Sequence, residues 1–142
     1  MVEYARFLDG IVHEPTQSGG EGFDLTVAGL HEVTAPGQVD FGGGELDPAT
    51  TEPRDSRLRH PDDDYGWWEL DAGTYLVEYN ESITADGLVF SLQTRDELLA
   101  RGAAHPTLRV TDLPRVPLTV GGAGLDLKKN ARVSTLVTAE SA

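Results

Sequence analysis

The basic side chains of this protein are concentrated in its last third. Between Arg95 and Val137 there are seven basic and four acidic residues, although the whole chain has a net charge of −13. The basic residues are Arg95, Arg101, Arg109, Arg115, Lys128, Lys129 and Arg132. Because guanidinium groups match the geometry of phosphate oxygens, this stretch is suited to a phosphorylated small molecule. Simple charge balance against the acidic first half of the chain is the alternative interpretation, and both remain open.

Carboxylates that could hold a metal ion occur at two places. Asp24 lies within the apolar run Gly22–Val27, where an acidic side chain is costly unless it is paired or hydrogen-bonded. The alternative is that Asp24 faces solvent on an edge strand. Asp62–Asp64 are consecutive and could bind a divalent cation through oxygen ligands, but they lack the spacing of a calcium-binding loop. We interpret this run as solvated surface charge.

Composition limits the classes of partner and compartment. The chain has 142 residues and no cysteine, so we expect one domain over 1–142 and exclude disulfides and thiolate chemistry. A net charge of −13 argues against binding nucleic-acid phosphates. Acidic residues are abundant and only two lysines occur, which resembles the surfaces of proteins from salt-loving organisms. Neither a secretory signal nor a membrane span is present, so we predict a cytoplasmic protein without a membrane partner.

Hydrophobic periodicity predicts a mainly β fold. The stretch 67–94 has two runs in which apolar and polar residues alternate, 74–79 and 88–93, separated by Asp86-Gly87. The segment 124–137 shows the same pattern of strand, turn and strand. It contains a short strand, a Lys128-Lys129-Asn130 turn and a second strand whose Val133, Thr135 and Val137 share one face. Two shorter strands are predicted over 22–27 and 30–33, and a weak one over 107–111.

The helical signals are few. Residues 95–102 form the one convincing short helix, with Thr94 suited to its start and Gly102 to its end. Residues 1–15 are consistent with either an amphipathic helix or an irregular arm. The segment 41–66 is rich in glycine, proline and aspartate, and we interpret it as a long surface loop.

The order of these segments resembles the dUTPase and dCTP deaminase superfamily, a group of trimeric enzymes of pyrimidine deoxynucleotide metabolism with a β-barrel or jelly-roll (β-clip) fold. The resemblance covers most of the chain. Gly22-Phe-Asp-Leu25, Leu70-Asp-Ala-Gly73 and Val110-Thr-Asp112 are similar to three family motifs, and Leu88–Leu92 leading into Arg95 resembles the strand before the phosphate-binding helix. The most specific match is Gly124–Val137, which resembles the closing strand pair.

The resemblance implies roles for particular residues. Arg95, together with Arg101 and Arg132, would bind the nucleotide phosphates, and Asp112 would orient the attacking water. Asp24 would help to hold a Mg²⁺ ion on the triphosphate. The implied reaction converts dUTP to dUMP and pyrophosphate at a site between the subunits of a homotrimer.

The sequence departs from the family pattern in ways that bear on catalysis. Asp96 and Glu97 stand where the family has serines after the arginine, and carboxylates repel a triphosphate. Leu113-Pro114-Arg115 replaces the Gly-Tyr that follows the hairpin aspartate. Deamination requires a carboxylate base on the next strand, and 115–124 contains none. Three functions therefore remain open. The first is a divergent nucleotide hydrolase, and the second is a paralogue that has lost catalysis and acts as a nucleotide-binding, regulatory or structural trimer. The third is a structural β-domain that binds no nucleotide.

Overall fold

A curled antiparallel β-sheet dominates the fold. The computed structural model describes residues 2–138. The strands are β1 (Leu8–Asp9), β2 (Phe23–Ala35), β3 (Thr50–Pro53), β4 (Trp67–Leu70), β5 (Gly73–Tyr79), β6 (Ser82–Ile83), β7 (Phe90–Thr94), β8 (Ala103–Ala104), β9 (Leu108–Val110), β10 (Val116–Val120), β11 (Leu125–Lys128) and β12 (Arg132–Thr138). The main sheet has the order β8-β10-β5-β2-β12-β7-β9, with β3 added to β2, and β1–β6 and β11–β4 form two small ribbons. The predicted mainly β fold of barrel or jelly-roll type is confirmed.

The core lies on the inner face of the curled sheet. Alternate residues of β5, β7 and β10 are buried, as expected for strands with one face on a core. Residues 23–27 of β2 are all buried, because this central strand is covered on both faces. The apolar side chains with the least exposure are Phe23, Leu25, Val27, Leu30, Val77, Phe90, Leu92, Val116, Leu118, Val133 and Leu136. Burial of such apolar surface is the main force that holds the fold together.

Strand β2 is longer than predicted. The sequence indicated two short strands over 22–27 and 30–33, whereas one strand of 13 residues runs from Phe23 to Ala35. A register shift between Val27 and Gly29 allows β2 to continue along β5 after it leaves β12. Such a bulge lets one strand bend from one partner to the next without a turn.

The prediction that Val133, Thr135 and Val137 share one face of β12 is wrong in part. Val133 is fully buried, but the inward positions that follow it are Ser134 and Leu136, not Thr135 and Val137. The cause is a register shift between Arg132 and Ser134, which changes the face that each following residue occupies. As a result, Thr135 lies opposite Asp24 of β2. The predicted turn before β12 is confirmed, and Asn130 adopts the left-handed conformation that asparagine tolerates.

Helices are short, as predicted. The helix expected over 95–102 is α2 (Asp96–Leu99), whose Leu98 packs into the core. The sequence did not identify α1 (Glu14–Gln17), and residues 1–15 also contain a 3-10 helix (Tyr4–Phe7) and β1 rather than an amphipathic α-helix. None of the helices within 2–138 has the length and apolar character that a membrane crossing requires.

The segment 41–66 is mostly exposed, as expected for a surface loop. It is nevertheless not structureless, since it contains β3, which pairs with residues His31–Ala35 of β2. Its last part returns to the sheet through paired backbone hydrogen bonds between Arg57 and Trp67. Trp67 and Trp68 then point to opposite faces of β4, with Trp68 buried and Trp67 partly exposed.

Gly22 permits close contact between the start of β2 and β12. A Cβ atom at this position would lie 2.4 Å from the carbonyl oxygen of Leu136, whereas at Gly20 nothing lies within 4 Å. We therefore expect Gly22→Ala to lower the free energy of unfolding by about 1–3 kcal/mol, because the strands must separate. Gly20→Ala is the matched control and should leave stability nearly unchanged. Urea denaturation measures both, and equal stability of the two variants would contradict the close contact.

Candidate functional site

An aspartate held by two arginines lies, largely buried, where β2 and β12 meet. Oδ2 of Asp24 lies 3.0 Å from a terminal guanidinium nitrogen of Arg132 and 3.5 Å from Nε of Arg95. Oδ1 accepts a hydrogen bond of 2.8 Å from the hydroxyl of Thr135. Asp24 is therefore neither a solvent-facing edge residue nor an unpaired buried charge. Of the predicted site residues, the structure brings together Asp24, Arg95 and Arg132.

Four segments of the chain position this cluster. Arg95 immediately precedes α2, and its backbone N–H donates to the carbonyl oxygen of Val133 at 3.1 Å. Its guanidinium also donates to the carbonyl oxygen of Arg132 at 3.2 Å. Arg132, the first residue of β12, donates in turn to the carbonyl oxygen of Thr16 in α1 at 3.2 Å. The cluster thus ties α1, β2, α2 and β12 to one carboxylate.

The cluster retains positive charge and unused donors. A guanidinium has five N–H donors, and the hydrogen bonds within 2–138 use only some of those on Arg95 and Arg132. The side chains of Arg95 and Arg132 are 20% and 35% exposed, so both can reach a ligand from solvent. Two guanidinium groups against one carboxylate leave a net positive charge, which favours an anion. The exposed Asp96 and Glu97 directly beside Arg95 oppose it.

Arg101 and Asp112 lie outside this cluster. Arg101 is 60% exposed and pairs with Glu97 one helical turn earlier, at 3.6 Å. Asp112 is exposed in the loop that joins β9 to β10, the strands near opposite ends of the sheet order. Within the part of the chain that the structure describes, no hydrogen bond or ion pair connects either residue to Asp24. One copy of the chain therefore does not assemble all of the predicted site residues.

The arrangement around Asp24 does not fit a metal ion held by the protein. Both carboxylate oxygens already accept from Thr135 or face the two guanidinium groups. Magnesium requires oxygen ligands in octahedral geometry, usually including carboxylates that are free to bind it. No group of three or more His, Cys, Asp or Glu residues suited to a metal occurs within 2–138. The metal role of Asp24 has no structural support and stays a prediction.

A buried chain of polar groups lies directly beneath the cluster. The hydroxyl of Ser134 is 2.6 Å from that of Tyr79 and 2.7 Å from Nε2 of His105. Because Nδ1 of His105 is 2.8 Å from the carbonyl oxygen of Pro106, which can only accept, Nδ1 carries the proton. Nε2 then accepts from Ser134, and Ser134 accepts from Tyr79. The three side chains form one directed chain of hydrogen bonds.

Burial fixes the protonation states in this chain. Desolvation lowers the pKa of His105 from its ordinary value, an effect that the hydrogen bond to the Pro106 carbonyl partly offsets. Desolvation also raises the pKa of Tyr79, against the opposing effect of its hydrogen bond with Ser134. His105 is neutral and Tyr79 protonated at neutral pH. Reciprocal hydrogen bonds between His105 and Thr94, at 2.9 and 3.0 Å, connect this chain to the residue before Arg95.

A second buried network anchors the N-terminal segment. Glu81 is 3% exposed, and its carboxylate accepts from the N–H and hydroxyl of Thr26 and from the amide of Gln17, at 2.9, 2.6 and 2.7 Å. The other side of the Gln17 amide accepts from the N–H groups of Val12 and His13. Gln17 thereby holds α1 against β2, close to the contact between Thr16 and Arg132.

Sequence reasoning missed these supporting residues. Ser134, Gln17 and Glu81 are polar residues that become buried only through tertiary packing. Ser134 lies within the motif-like stretch Gly124–Val137, but that resemblance implied no role for it, and Gln17 and Glu81 belong to no motif quoted above. One signal was available for Glu81, because it continues the alternation of buried positions set by Tyr75, Val77 and Tyr79. A carboxylate on the buried side of a strand pattern predicts a satisfied polar network.

The fold and the cluster together describe an antiparallel β-barrel or jelly-roll protein with an arginine pair organised by a buried aspartate. No protein-family model matches the sequence. The chain is, however, 30% identical over 137 residues to a probable deoxyuridine 5′-triphosphate nucleotidohydrolase of Methanosarcina acetivorans, covering 92% of this chain and 76% of that protein. The chain therefore belongs to the dUTPase family.

Removal of the Asp24 charge should destabilise the protein. In Asp24→Asn, two guanidinium groups lose their counter-ion in a poorly solvated place, so we expect the free energy of unfolding to fall by about 1–3 kcal/mol. Asp112→Asn is the matched control, since Asp112 is exposed, and it should show no measurable change. Urea titration of both variants is the measurement. A smaller effect at position 24 than at position 112 would contradict the structural role of the cluster.

His105 should make stability depend on pH. Its pKa is lower in the folded than in the unfolded state, so the unfolded state binds more protons below the ordinary histidine value of 6.5. The stability that the buried neutral ring contributes is present above that value and is lost as the pH falls through it. We expect His105→Gln, which can still accept from Ser134, to show a shallower loss of melting temperature between about pH 7.5 and 5.5 than the wild type. The exposed His60→Gln should keep the wild-type slope.

Proposed function

We propose that this protein hydrolyses dUTP to dUMP and pyrophosphate. The observation that carries the proposal is the pair of partly exposed guanidinium groups that Asp24 holds in one place. The family membership supports it, because the relative from Methanosarcina acetivorans is named as a probable deoxyuridine 5′-triphosphate nucleotidohydrolase. A member of the wider dUTPase and dCTP deaminase superfamily could instead deaminate its base. Strand β10 (Val116–Val120) supplies no carboxylate for that reaction.

In the proposed reaction the chain binds and orients the triphosphate. Arg95 and Arg132 donate hydrogen bonds to phosphate oxygens and stabilise the negative charge that builds up during displacement. A water oxygen forms a bond to the α-phosphorus, the bond from that phosphorus to the oxygen bridging to the β-phosphate breaks, and pyrophosphate leaves. Asp112 orients the water and accepts its proton. Arg101 is exposed just after the C-terminal end of α2, the helix that Arg95 precedes, and it attracts the anion from a distance.

Magnesium enters this proposal as part of the substrate. The nucleotide arrives as its Mg²⁺ complex, and the ion offsets phosphate charge that Asp96 and Glu97 would otherwise repel. Asp24 acts through the arginines, because its two oxygens hold them and Thr135 in place. This role differs from direct metal binding, and it explains why a carboxylate lies beside a site for an anion.

A complete site requires more than one copy of the chain. Asp112 lies in the exposed loop after β9, and no hydrogen bond or ion pair among residues 2–138 joins it to the arginine cluster of its own copy. We propose that a neighbouring copy supplies it and that the assembly is a homotrimer, as the resemblance to the family implies. The small pyrimidine deoxynucleotide fits the exposed arginine pair, whereas the net charge of −13 disfavours nucleic acid. A cytoplasmic location agrees with a substrate of the nucleotide pool.

The second candidate function is that of a binding module without turnover. The specific observation in its favour is that two exposed carboxylates, Asp96 and Glu97, follow Arg95 where hydroxyl donors would cradle a phosphate. In that case the protein would be a regulatory or structural trimer that binds the nucleotide and releases it unchanged.

The decisive experiment measures pyrophosphate release from dUTP, dCTP and dTTP in the presence of Mg²⁺. We expect release from dUTP, and a loss of about 100-fold or more in Arg95→Ala and Asp112→Asn, since each removes a group from the reacting site. Arg109→Ala is the matched control, because Arg109 is an exposed arginine on β9 away from the cluster, and it should retain activity.

The same samples separate the two candidates. Calorimetric binding of dUTP that Arg95→Ala abolishes, with no pyrophosphate released by the wild type, would replace the hydrolase with the binding module. Neither release nor binding from a folded protein would overturn both functions.

A further inference from the structure

A projecting arm leaves the sheet between β2 and β3. We define the arm as residues 36–49, which join Ala35 to Thr50. Its apolar side chains lie almost entirely in solvent: Val39 is 87% exposed, Phe41 is fully exposed and Leu46 is 59% exposed. Large apolar side chains that are exposed together, rather than singly, mark a surface that binds a partner.

The arm is ordered rather than loose. Gln38 and Asp47 exchange backbone hydrogen bonds of 2.9 and 3.0 Å, and the side chain of Gln38 donates to the carbonyl oxygen of Glu45 at 2.6 Å. At its base, a Cβ atom on Gly37 would lie 2.6 Å from the backbone nitrogen of Ala49, so the two sides are in close contact. The fold thus holds exposed apolar residues in a fixed shape, which lowers the entropy cost of binding.

The arm is acidic, and one of its carboxylates lacks a partner. Residues 36–49 contain Asp40, Glu45 and Asp47 and no basic residue. Oδ1 of Asp40 is shielded from solvent and has no hydrogen-bond partner within 2–138. A cation beside the arm would stabilise the charge of this carboxylate through electrostatic attraction, without touching the shielded oxygen itself. The chemistry that would cover the arm is therefore cationic and apolar.

A groove with this chemistry lies at the other end of the β2–β3 ladder. We define the groove by its lining residues, which are Arg54, Asp55, Arg57, Leu58, Arg59, Trp67 and Glu69, and its volume is about 500 Å³. Arg59 stacks on the ring of Trp67 at 4.0 Å, and the ammonium of Lys128 lies 5.5 Å from the same ring. Leu58 is 54% exposed beside them.

Arg57 is the groove cation most available to a partner. Arg54 pairs with Glu32, and Arg59 pairs with Asp126 and Glu69. Arg57 is exposed, and no ion pair of its side chain occurs among the described residues. Its backbone is fixed by the two hydrogen bonds to Trp67, so the guanidinium is presented from a defined position.

The groove cannot receive the arm of its own chain. The ladder pairs Ala35 with Thr50 at the end that carries the arm, and His31 with Pro53 at the end that leads into Arg54. The tip of the arm and the groove therefore lie beyond opposite ends of the same pair of strands. A contact between them has to join two different copies, and it is heterologous, since each copy offers an arm to one neighbour and a groove to the other.

We infer that the acidic, apolar arm of one copy binds the arginine–tryptophan groove of the next copy of this chain. Phe41 and Val39 pack beside Leu58 and the exposed edge of Trp67, and Asp40 approaches Arg57. Heterologous contacts of this kind close into a ring when the rotation between copies permits it. The contact uses no residue of the arginine cluster, so it can form whether or not the protein hydrolyses dUTP. The proposed reaction, in contrast, needs a contact between copies, because a neighbouring copy supplies Asp112.

Sedimentation velocity of the full chain tests this contact. We expect the wild type to assemble beyond a monomer, and Val39→Ser/Phe41→Ser to weaken assembly at least tenfold, because the apolar contact is lost. Both positions are exposed, so circular dichroism and melting of the isolated monomer should stay unchanged. Leu99→Ser is the control, since Leu99 is 51% exposed on α2 and outside the arm and groove. Its assembly should equal that of the wild type.

Charge exchange and mixing test the pairing itself. Asp40→Arg and Arg57→Asp should each weaken assembly, and the double variant should restore it. A mixture of the arm variant Val39→Ser/Phe41→Ser with Arg57→Asp should form one-to-one complexes only. The arm variant retains an intact groove and Arg57→Asp retains an intact arm, so only one contact can form between them.

Two results would overturn the inference. The first is a wild type that sediments as a monomer over the accessible concentration range. The second is assembly that Arg57→Asp leaves intact while the arm variant abolishes it, which would indicate that arms bind each other. A monomeric wild type would also remove the neighbouring copy proposed to supply Asp112, so pyrophosphate release is measured on the same sample. Release by a monomer would show that the reaction does not need the contact, and the second result would leave the proposed homotrimer and its reaction untouched.

Discussion

The attraction between Asp24 and two arginines is the constraint on which the candidate site depends. A carboxylate placed within a buried strand is costly unless cations or donors satisfy it, and here Arg95, Arg132 and Thr135 do so from separate segments. Each guanidinium is therefore held at a fixed place while some of its N–H groups stay accessible. The stability of the fold and the geometry of the arginine pair rest on the same ion pairs, so natural substitutions at Asp24 would affect both together.

Behind this cluster the protein uses neutral polar chains where a purely apolar core would have sufficed for stability. Tyr79, Ser134 and His105 are satisfied by one another and by the Pro106 carbonyl, and Thr94 links them to the residue before Arg95. Hydrogen bonds have directional requirements that apolar contacts lack, so these chains restrict the rotamers and register of β7 and β12. That restriction is transmitted to the arginines and limits how far apart their guanidinium groups can lie.

The sequence predicted the parts of this structure that depend on local pattern. Alternation identified β5, β7 and the turn at Asn130, and the family motifs pointed to Asp24, Arg95 and Arg132, which the fold brings together. It failed where tertiary pairing overrides local preference. The bulge after Arg132 placed Thr135 and Val137 on the face opposite to that of Val133, with which they were expected to align. The bulge near Gly29 joined two expected strands into one. Buried partners such as Gln17 and Ser134 could not be predicted, because their contacts join residues far apart in the chain. The contribution expected of Asp112 was equally beyond a single sequence, since it depends on how copies meet.

The anchoring of α1 by Glu81 has a consequence for behaviour in concentrated electrolytes. Dissolved ions weaken attraction between exposed charges, so surface pairs such as Arg59 with Asp126 fade as ionic strength rises. Glu81 relies on no cation, because its three donors belong to Thr26 and Gln17 and are shielded from solvent. The attachment of the N-terminal segment to the barrel is consequently insensitive to salt. This acidic chain thus attaches its N-terminal segment through hydrogen bonds that dissolved salt does not screen.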